Sequence, residues 1–258
     1  MSILNLNPYL ALAKRMADAV RPVSMSYFRS GLGIDSKADD SPVTIADKEA
    51  ETVLRQMIEA AFPDHGIIGE EHGTKNTAAE FVWVLDPIDG TQAFATGKPL
   101  FGTLIALLHE GQPQIGIIDM PALNERWVGV RGKTTLFKGK PASTRPCANL
   151  SDAWLYATSP QMFIPEHFDN FENLRKSCRR AVYGAECQAY GLMSSGWVDV
   201  VCEDTLELYD YAALIPIIEG AGGVITDWQG NKLTTQSEGH VIAVGDPALH
   251  EKVLKALS

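Results

Sequence analysis

Cysteine is scarce in this chain. Its four cysteines, Cys147, Cys178, Cys187 and Cys202, stand 31, 9 and 15 positions apart, which gives no C-x-x-C pair and no spacing suited to a zinc centre. Unpaired thiols in a reducing compartment are the expectation. Long apolar runs are missing too: no stretch approaches the ~20 residues that cross a bilayer. The first residues show no apolar signal-peptide segment, so a cytoplasmic protein with no membrane partner is expected. Positive charge is outnumbered, 22 Lys and Arg against 32 Asp and Glu, a formal net charge of -10. Such a chain repels nucleic acid at long range, which removes that class of partner. A protein this anionic that handles an anionic substrate needs a local cation, and a bound divalent metal would supply one.

What is present is an ordinary globular chain, 258 residues long and 45% hydrophobic, enough for one domain with a sizeable core. Tyr9, Leu12, Ala13, Met16, Ala17 and Val20 recur at helical spacing, as do Ala50, Val53, Leu54, Met57, Ile58 and Ala61 after Thr44. Short apolar runs at Ile67-Ile68, Phe81 to Leu85, Leu100 to Leu108, Ile115 to Ile118 and Arg126 to Val130 then predict a largely antiparallel sheet. Beyond Pro141 the reading is α/β. Strands are expected at Trp154 to Thr158, Val198 to Cys202, Gly223 to Thr226 and Val241 to Val244. Helices are expected across Phe168 to Ser177, Cys187 to Ser195 and Asp210 to Glu219. The expectation is one domain over residues 1–258, of α+β or α/β class, with halves at about 1–140 and 141–258.

The chemistry concentrates in Val82-Trp83-Val84-Leu85-Asp86-Pro87-Ile88-Asp89-Gly90-Thr91, where an apolar strand runs into two aspartates three positions apart. Pro87 and Gly90 suit a turn that lets both carboxylates converge, and Mg2+ asks for hard oxygen ligands of this kind. The bland alternative is a plain turn. A second acidic site, Gly69-Glu70-Glu71-His72-Gly73, follows another strand signal, although a Glu pair is more often solvated surface. Asp47, three residues after Thr44, could be the acidic partner of a capping box, and Asp210 could merely favour a helix start. The six histidines show no metal-binding spacing and read as loop or surface residues.

Taken together, Gly69-Glu70-Glu71, Asp86-Pro87-Ile88-Asp89-Gly90-Thr91 with Phe94, Tyr209-Asp210-Tyr211-Ala212-Ala213 and Glu219-Gly220-Ala221-Gly222-Gly223 resemble the inositol monophosphatase superfamily. The resemblance implies a layered αβαβα sandwich of the inositol monophosphatase and fructose-1,6-bisphosphatase type, a homodimer, and a Mg2+-dependent phosphomonoesterase. Two or three Mg2+ ions are implied, with Mn2+ as a substitute and Li+ as an inhibitor. It assigns Glu70, Asp86 and the Ile88 carbonyl to the first metal, Asp86, Asp89 and Asp210 to the second, and the vicinity of Glu70 and Glu71 to a third. It gives phosphate to the Gly90 and Thr91 amides, and water activation to Asp47 and Thr91 with Glu70 among the catalytic groups.

Within that superfamily, Thr96 to Leu107, Asp119-Met120-Pro121, Glu125-Arg126-Trp127 and Tyr183-Gly184-Ala185-Glu186-Cys187 resemble the histidinol-phosphate phosphatase branch. The inositol branch carries Trp-Asp where this chain has Tyr209-Asp210. Substrate contacts are accordingly expected at Gly184, Ala185, Glu186, Glu203 and Asp210. An extra carboxylate there suits an ammonium group through a charge-assisted hydrogen bond. Inositol monophosphate, or a range of small esters, is the alternative substrate. A non-catalytic metal-binding or anion-binding protein and a glycosidase are rivals of other classes, and neither uses Asp47, Thr91 and Gly90 together.

Overall fold

A computed structural model describes residues 4–30 and 42–258. Two helices lead, α1 (Asn7–Tyr27) and α2 (Pro42–Ala61). Eight strands follow: β1 (Gly66–Gly69), β2 (Gly73–Lys75), β3 (Phe81–Asp89), β4 (Gly102–His109), β5 (Gln112–Met120), β6 (Glu125–Val130), β7 (Leu136–Phe137) and β8 (Lys140–Pro141), with α3 (Thr91–Ala95) between β3 and β4. They form one sheet in the order β2-β1-β3-β4-β5-β6-β7-β8. Only β1 with β3 is parallel, so the expected antiparallel character holds.

The remaining elements are β9 (Trp154–Ala157), α4 (Pro165–Ser177), β10 (Arg180–Tyr183), α5 (Gln188–Ser194), β11 (Val200–Glu203), α6 (Leu208–Tyr211), α7 (Leu214–Gly220), β12 (Val224–Thr226), β13 (Val241–Val244) and α8 (Pro247–Leu257). A second, mixed sheet runs β10-β9-β11-β13-β12. Strand β10 is absent from the sequence expectation because, as a half-exposed edge, it carries no clear alternation.

Side-chain alternation along the strands builds the layers. Trp83, Leu85, Ile105, Leu107, Ile115 and Ile117 point to one face of the first sheet, where they meet Leu12, Met16, Val20, Leu54 and Ile58 of α1 and α2. Val82, Val84, Leu104, Ala106 and Ile118 point to the other face and meet α5, α7 and the inner face of the second sheet through Tyr190, Leu214, Ile217, Val201 and Ala243. The outer face of that second sheet, Leu155, Val200, Ile242 and Val244, is covered by Phe171 and Leu174 of α4 and Leu249 and Val253 of α8. The result is an αβαβα sandwich. Strands covered on both faces read as continuous apolar runs, and each aliphatic side chain removed from water contributes about 1.5–3 kcal/mol. The alternation that sends Val82 and Val84 toward the middle layer sends Asp86 the same way.

Three local expectations need correction. The Asp86-Pro87-Ile88-Asp89 segment is not a turn: β3 continues to Asp89 and pairs with β4 across a register shift between Asp86 and Asp89. Pro87, which has no N–H to offer a ladder, sits in that bulge, and its carbonyl accepts from the Thr103 hydroxyl at 2.8 Å. The single helix expected from Asp210 to Glu219 is two, α6 and α7, with Asp210 inside the first turn of α6. Helix α2 already begins at Pro42, so Asp47 lies within the helix and not in a cap; the side chain of Thr44 is outside the described residues. All four cysteines are free. No helix among the described residues is long and apolar enough to cross a membrane.

Candidate active site

The acids named from sequence meet. One carboxylate oxygen each from Asp86, Asp89 and Asp210 lie within 4.8 Å of one another, and so do those of Asp47, Glu70 and Glu71. Four separate elements deliver them: α2 carries Asp47, the turn after β1 carries Glu70 and Glu71, the end of β3 carries Asp86 and Asp89, and α6 carries Asp210. Asp89 is fixed by the Cys187 amide, which donates to it at 2.7 Å. Asp210 accepts from the Glu207 amide at 2.7 Å, the reciprocal half of a capping box that orients its other oxygen.

The electrostatics are those of acids crowded out of water. Burial, then Glu70, Glu71 and Glu51, push Asp47 up to about 9. Burial and Asp89 push Asp210 up to about 8. Asp86 is held well above the usual carboxylate range by burial and by Asp89, Glu70, Asp210 and Asp47. Glu70 and Asp89 are raised by burial as well. Oδ1 of Asp47 and Oδ1 of Asp86 are buried without any hydrogen-bond partner. Orphaned buried oxygens among mutually repelling acids are what a divalent, oxygen-seeking cation would satisfy, so the residues present fit Mg2+.

Sequence reasoning missed Glu51. This fully buried residue on α2 accepts from the Glu71 amide at 2.7 Å, the His72 amide at 3.2 Å and Arg55 Nε at 2.7 Å, and so pins the Glu70-Glu71 turn to the helix that carries Asp47. Gly69 makes room: a Cβ there would overlap the Glu51 carboxylate. The signal was available, since Glu51 lies four residues after Asp47, on the same helical face.

Beyond Asp89 the chain turns at Gly90, whose left-handed backbone (φ 85°) starts α3, leaving the first amides of that helix without helical partners. A Cβ on Gly90 would stand 2.7 Å from Glu186 Cγ, so only glycine lets this turn approach the opposite wall. The Thr91 hydroxyl reaches the Ile88 carbonyl at 3.4 Å. A cleft of about 600 Å³ opens here between Gly90, Thr91 and Lys98 on one side and Thr158, Met162, Gly184 and Glu186 on the other. A deeper recess of about 140 Å³ adds Asp89, Tyr190, Glu203 and Asp210. Lys98 Nζ donates to the Gly184 carbonyl and ties the two walls.

The two glutamates of the recess differ in what their oxygens do. Glu203 accepts from the Thr158 amide at 3.1 Å, the Thr158 hydroxyl at 2.5 Å and the Tyr190 hydroxyl at 2.8 Å, and burial lifts it to about 7. Glu186 is held in a left-handed conformation (φ 49°), and its Oε2 is buried without a partner. Burial first, then Asp89, raise its pKa. Ala185 is buried in the core between the sheets. Asp119 and Arg126, named with the same branch, lie elsewhere and make a structural ion pair: Asp119 accepts from Arg21 at 2.7 Å and from Arg126 Nε at 2.5 Å, joining α1 to β5 and β6. The histidines are not all surface residues, since His167 and His240 both reach the buried Asp204.

Comparison with known proteins agrees with this geometry. The chain is 45% identical over 266 aligned positions to the bifunctional phosphatase IMPL2 of Arabidopsis thaliana, covering 100% of this chain and 77% of that protein. It is 36% identical to a histidinol-phosphatase of Chlorobaculum parvum, over 92% of this chain and 93% of that one. A solved inositol monophosphatase from Zymomonas mobilis superposes with a TM-score of 0.93 at 45% identity, covering 99% of both chains. The sequence profile of the inositol monophosphatase family matches residues 5–258, and with the fold and the gathered acids it establishes that the chain is a phosphatase belonging to that family.

Proposed function

We propose that the protein is a Mg2+-dependent phosphomonoesterase that hydrolyses L-histidinol phosphate to L-histidinol and phosphate. The observation that carries the substrate is Glu186, a buried carboxylate that lines the recess beside Asp89 and Gly90 and whose Oε2 has no hydrogen-bond partner. An ammonium on the leaving alcohol would give that oxygen a charged donor beyond the partial compensation from Lys98 and Thr158, whereas the hydroxyls of inositol would offer only neutral ones. Glu203, whose oxygens are occupied by Thr158 and Tyr190, holds the wall and need not touch the substrate itself.

In this reading Glu70, Asp86 and the Ile88 carbonyl would hold one Mg2+, Asp86, Asp89 and Asp210 would hold a second, and Glu70 with Glu71 would hold a weaker third. Mn2+ would substitute and Li+ would inhibit. When bound, the metals supply the positive field that an anionic phosphate and an attacking water require. The Gly90 and Thr91 amides take phosphate oxygens. Asp47, through the Thr91 hydroxyl, orients the water and receives its proton. The water oxygen bonds to phosphorus, the bond from phosphorus to the alcohol oxygen breaks, and that oxygen takes a proton from solvent water in the open cleft while Asp47 later returns its own to solvent. Positioning and charge neutralisation do most of this work.

The second reading is inositol monophosphate hydrolysis, favoured by the description of the Zymomonas mobilis structure as an inositol monophosphatase. Initial rates on a panel of phosphate esters at fixed Mg2+ separate the two. A kcat/KM higher for inositol 1-phosphate than for histidinol phosphate overturns the first. We also propose, on the family resemblance, a homodimer in which residues of about 1–140 carry most metal ligands and 141–258 the substrate selectors. Sedimentation tests the dimer.

A further inference from the structure

We propose that His167, Asp204 and His240 form a second metal site, separate from the acid cluster and built for a borderline transition-metal ion such as Zn2+. These residues lie far apart in sequence, on α4, just after β11 and just before β13, yet one ligand atom of each falls within 4.8 Å of the other two. Asp204 is fully buried. Its Oδ2 lies 2.9 Å from His167 Nδ1 and its Oδ1 lies 2.6 Å from His240 Nδ1, so the two imidazoles approach opposite oxygens of one carboxylate.

The surroundings are those of an oriented ligand set. The amides of Ile164 and Thr205 donate to Oδ2 and Oδ1 at 3.2 and 2.9 Å, fixing the carboxylate from behind. In the empty site each Nδ1 stands at hydrogen-bond distance from its carboxylate oxygen, so an ion would displace that proton and the ring would keep its other one on Nε2. Both rings keep part of their surface in solvent, at 27% and 17%, so an ion has a route in. Two imidazole nitrogens and a carboxylate match Zn2+ and its neighbours, not Mg2+, which prefers oxygen throughout. Ligand atoms around a tetrahedral Zn2+ stand roughly 3.3 Å apart, so loading asks the rings to retreat by roughly half an ångström.

A metal here would also reach the cleft. Ile164 ends the stretch that carries Thr158 and Met162, and Asp204 adjoins Glu203, which holds Thr158. The ion would act as a fastener of that wall, with no part in the chemistry.

The test uses the full chain saturated with Mg2+. Cu2+ is added as the probe and its nitrogen hyperfine coupling is read by electron paramagnetic resonance, because the acid cluster offers oxygen only. The wild type is expected to take up one equivalent with two-nitrogen coupling. The His167→Gln/His240→Gln variant, which keeps every other histidine, should bind roughly 100-fold more weakly with that signal lost. Zn2+ at about one hundred times Kd should raise the wild-type Tm by roughly 5 °C and leave the variant unmoved. Equal binding and equal coupling in the two proteins would overturn the site. Should the double variant fail to fold, Zn2+ titration of the wild type followed by imidazole resonances decides alone, and unshifted His167 and His240 signals would sink the proposal.

Discussion

Replacing Glu186 with glutamine removes one negative charge at nearly constant volume, in a residue only 9% exposed whose backbone (φ 49°) neither side chain finds easier. The wild-type oxygen Oε2 has no hydrogen-bond partner within the protein, so an ammonium from the substrate would compete there only with the longer-range pull of Thr158 and Lys98. A hydrogen bond to a charged group is worth about 1.5–3 kcal/mol, which corresponds to a loss in kcat/KM for histidinol phosphate of roughly 10- to 150-fold. Inositol 1-phosphate brings no cation, and the loss of a carboxylate that repels Asp89 removes a conflict, so its kcat/KM should change by no more than about threefold. Initial rates of phosphate release for both esters at fixed Mg2+, with a thermal melt to establish folding, provide the measurement. An equal fall for the two substrates would show that Glu186 supports the recess without selecting the amine.

Asp86→Asn should abolish Mg2+-dependent turnover yet leave the far-ultraviolet circular dichroism unchanged, because Asp86 sits among Asp89, Glu70, Asp210 and Asp47 and its Oδ1 bonds to nothing in the protein; wild-type rates in that variant would remove the proposed metal chemistry. Gly69→Ala drives a methyl into the Glu51 carboxylate, so it should destabilise the protein by about 1–3 kcal/mol and raise the Mg2+ concentration needed for half-maximal rate, tested by melts and Mg2+ titration. In metal-free protein, Asp47 at about 9 and Asp210 at about 8 retain protons that an unfolded chain, near the ordinary 3.8, has released. At these two sites the folded state then binds more protons between these limits, so their contribution to stability is fully present below about pH 4. It is lost as pH rises toward 8–9, by at most about 1.4 kcal/mol per pH unit for each group. Added Mg2+ should flatten that slope, and a metal-free stability that rises with pH across the same range would contradict the electrostatics.

The parts legible in the sequence were those set by local period and by acids at strand ends. Alternation through Val82, Trp83, Val84 and Leu85 fixed both faces of β3 and, by parity, the side to which Asp86 points. The Asp-Pro-Ile-Asp segment was misjudged as a turn because a bulge and a turn use the same residues. The neighbour decides between them, here β4 through Thr103 and the Asp89–Gly102 pairing, and no local pattern reports that neighbour. Glu51 was hidden for a related reason: its partners are amides on the Glu71-His72 turn, twenty positions away, so its helical face showed but its role did not. His167 and His240 meet through a third residue, Asp204, 37 and 36 positions distant, and only the second sheet brings them there.

Burial gives the acid cluster two opposed properties. Without cations, desolvation raises the pKa of Asp47, Asp86, Asp89 and Asp210, and repulsion from neighbouring acids adds to it at Asp47, Asp86 and Asp210, so gathering them works against the fold. With cations, the same low-dielectric setting strengthens each oxygen–metal contact and leaves the ions as the dominant positive charge beside a protein of net charge -10. Holding the acids together ahead of any cation falls to Glu51 on the Glu71 turn, Cys187 on Asp89 and Glu207 on Asp210. Each of these anchors is a backbone amide bonded to a carboxylate. That bond survives protonation changes at the neighbouring acids, so the arrangement can be kept through both the empty and the loaded state.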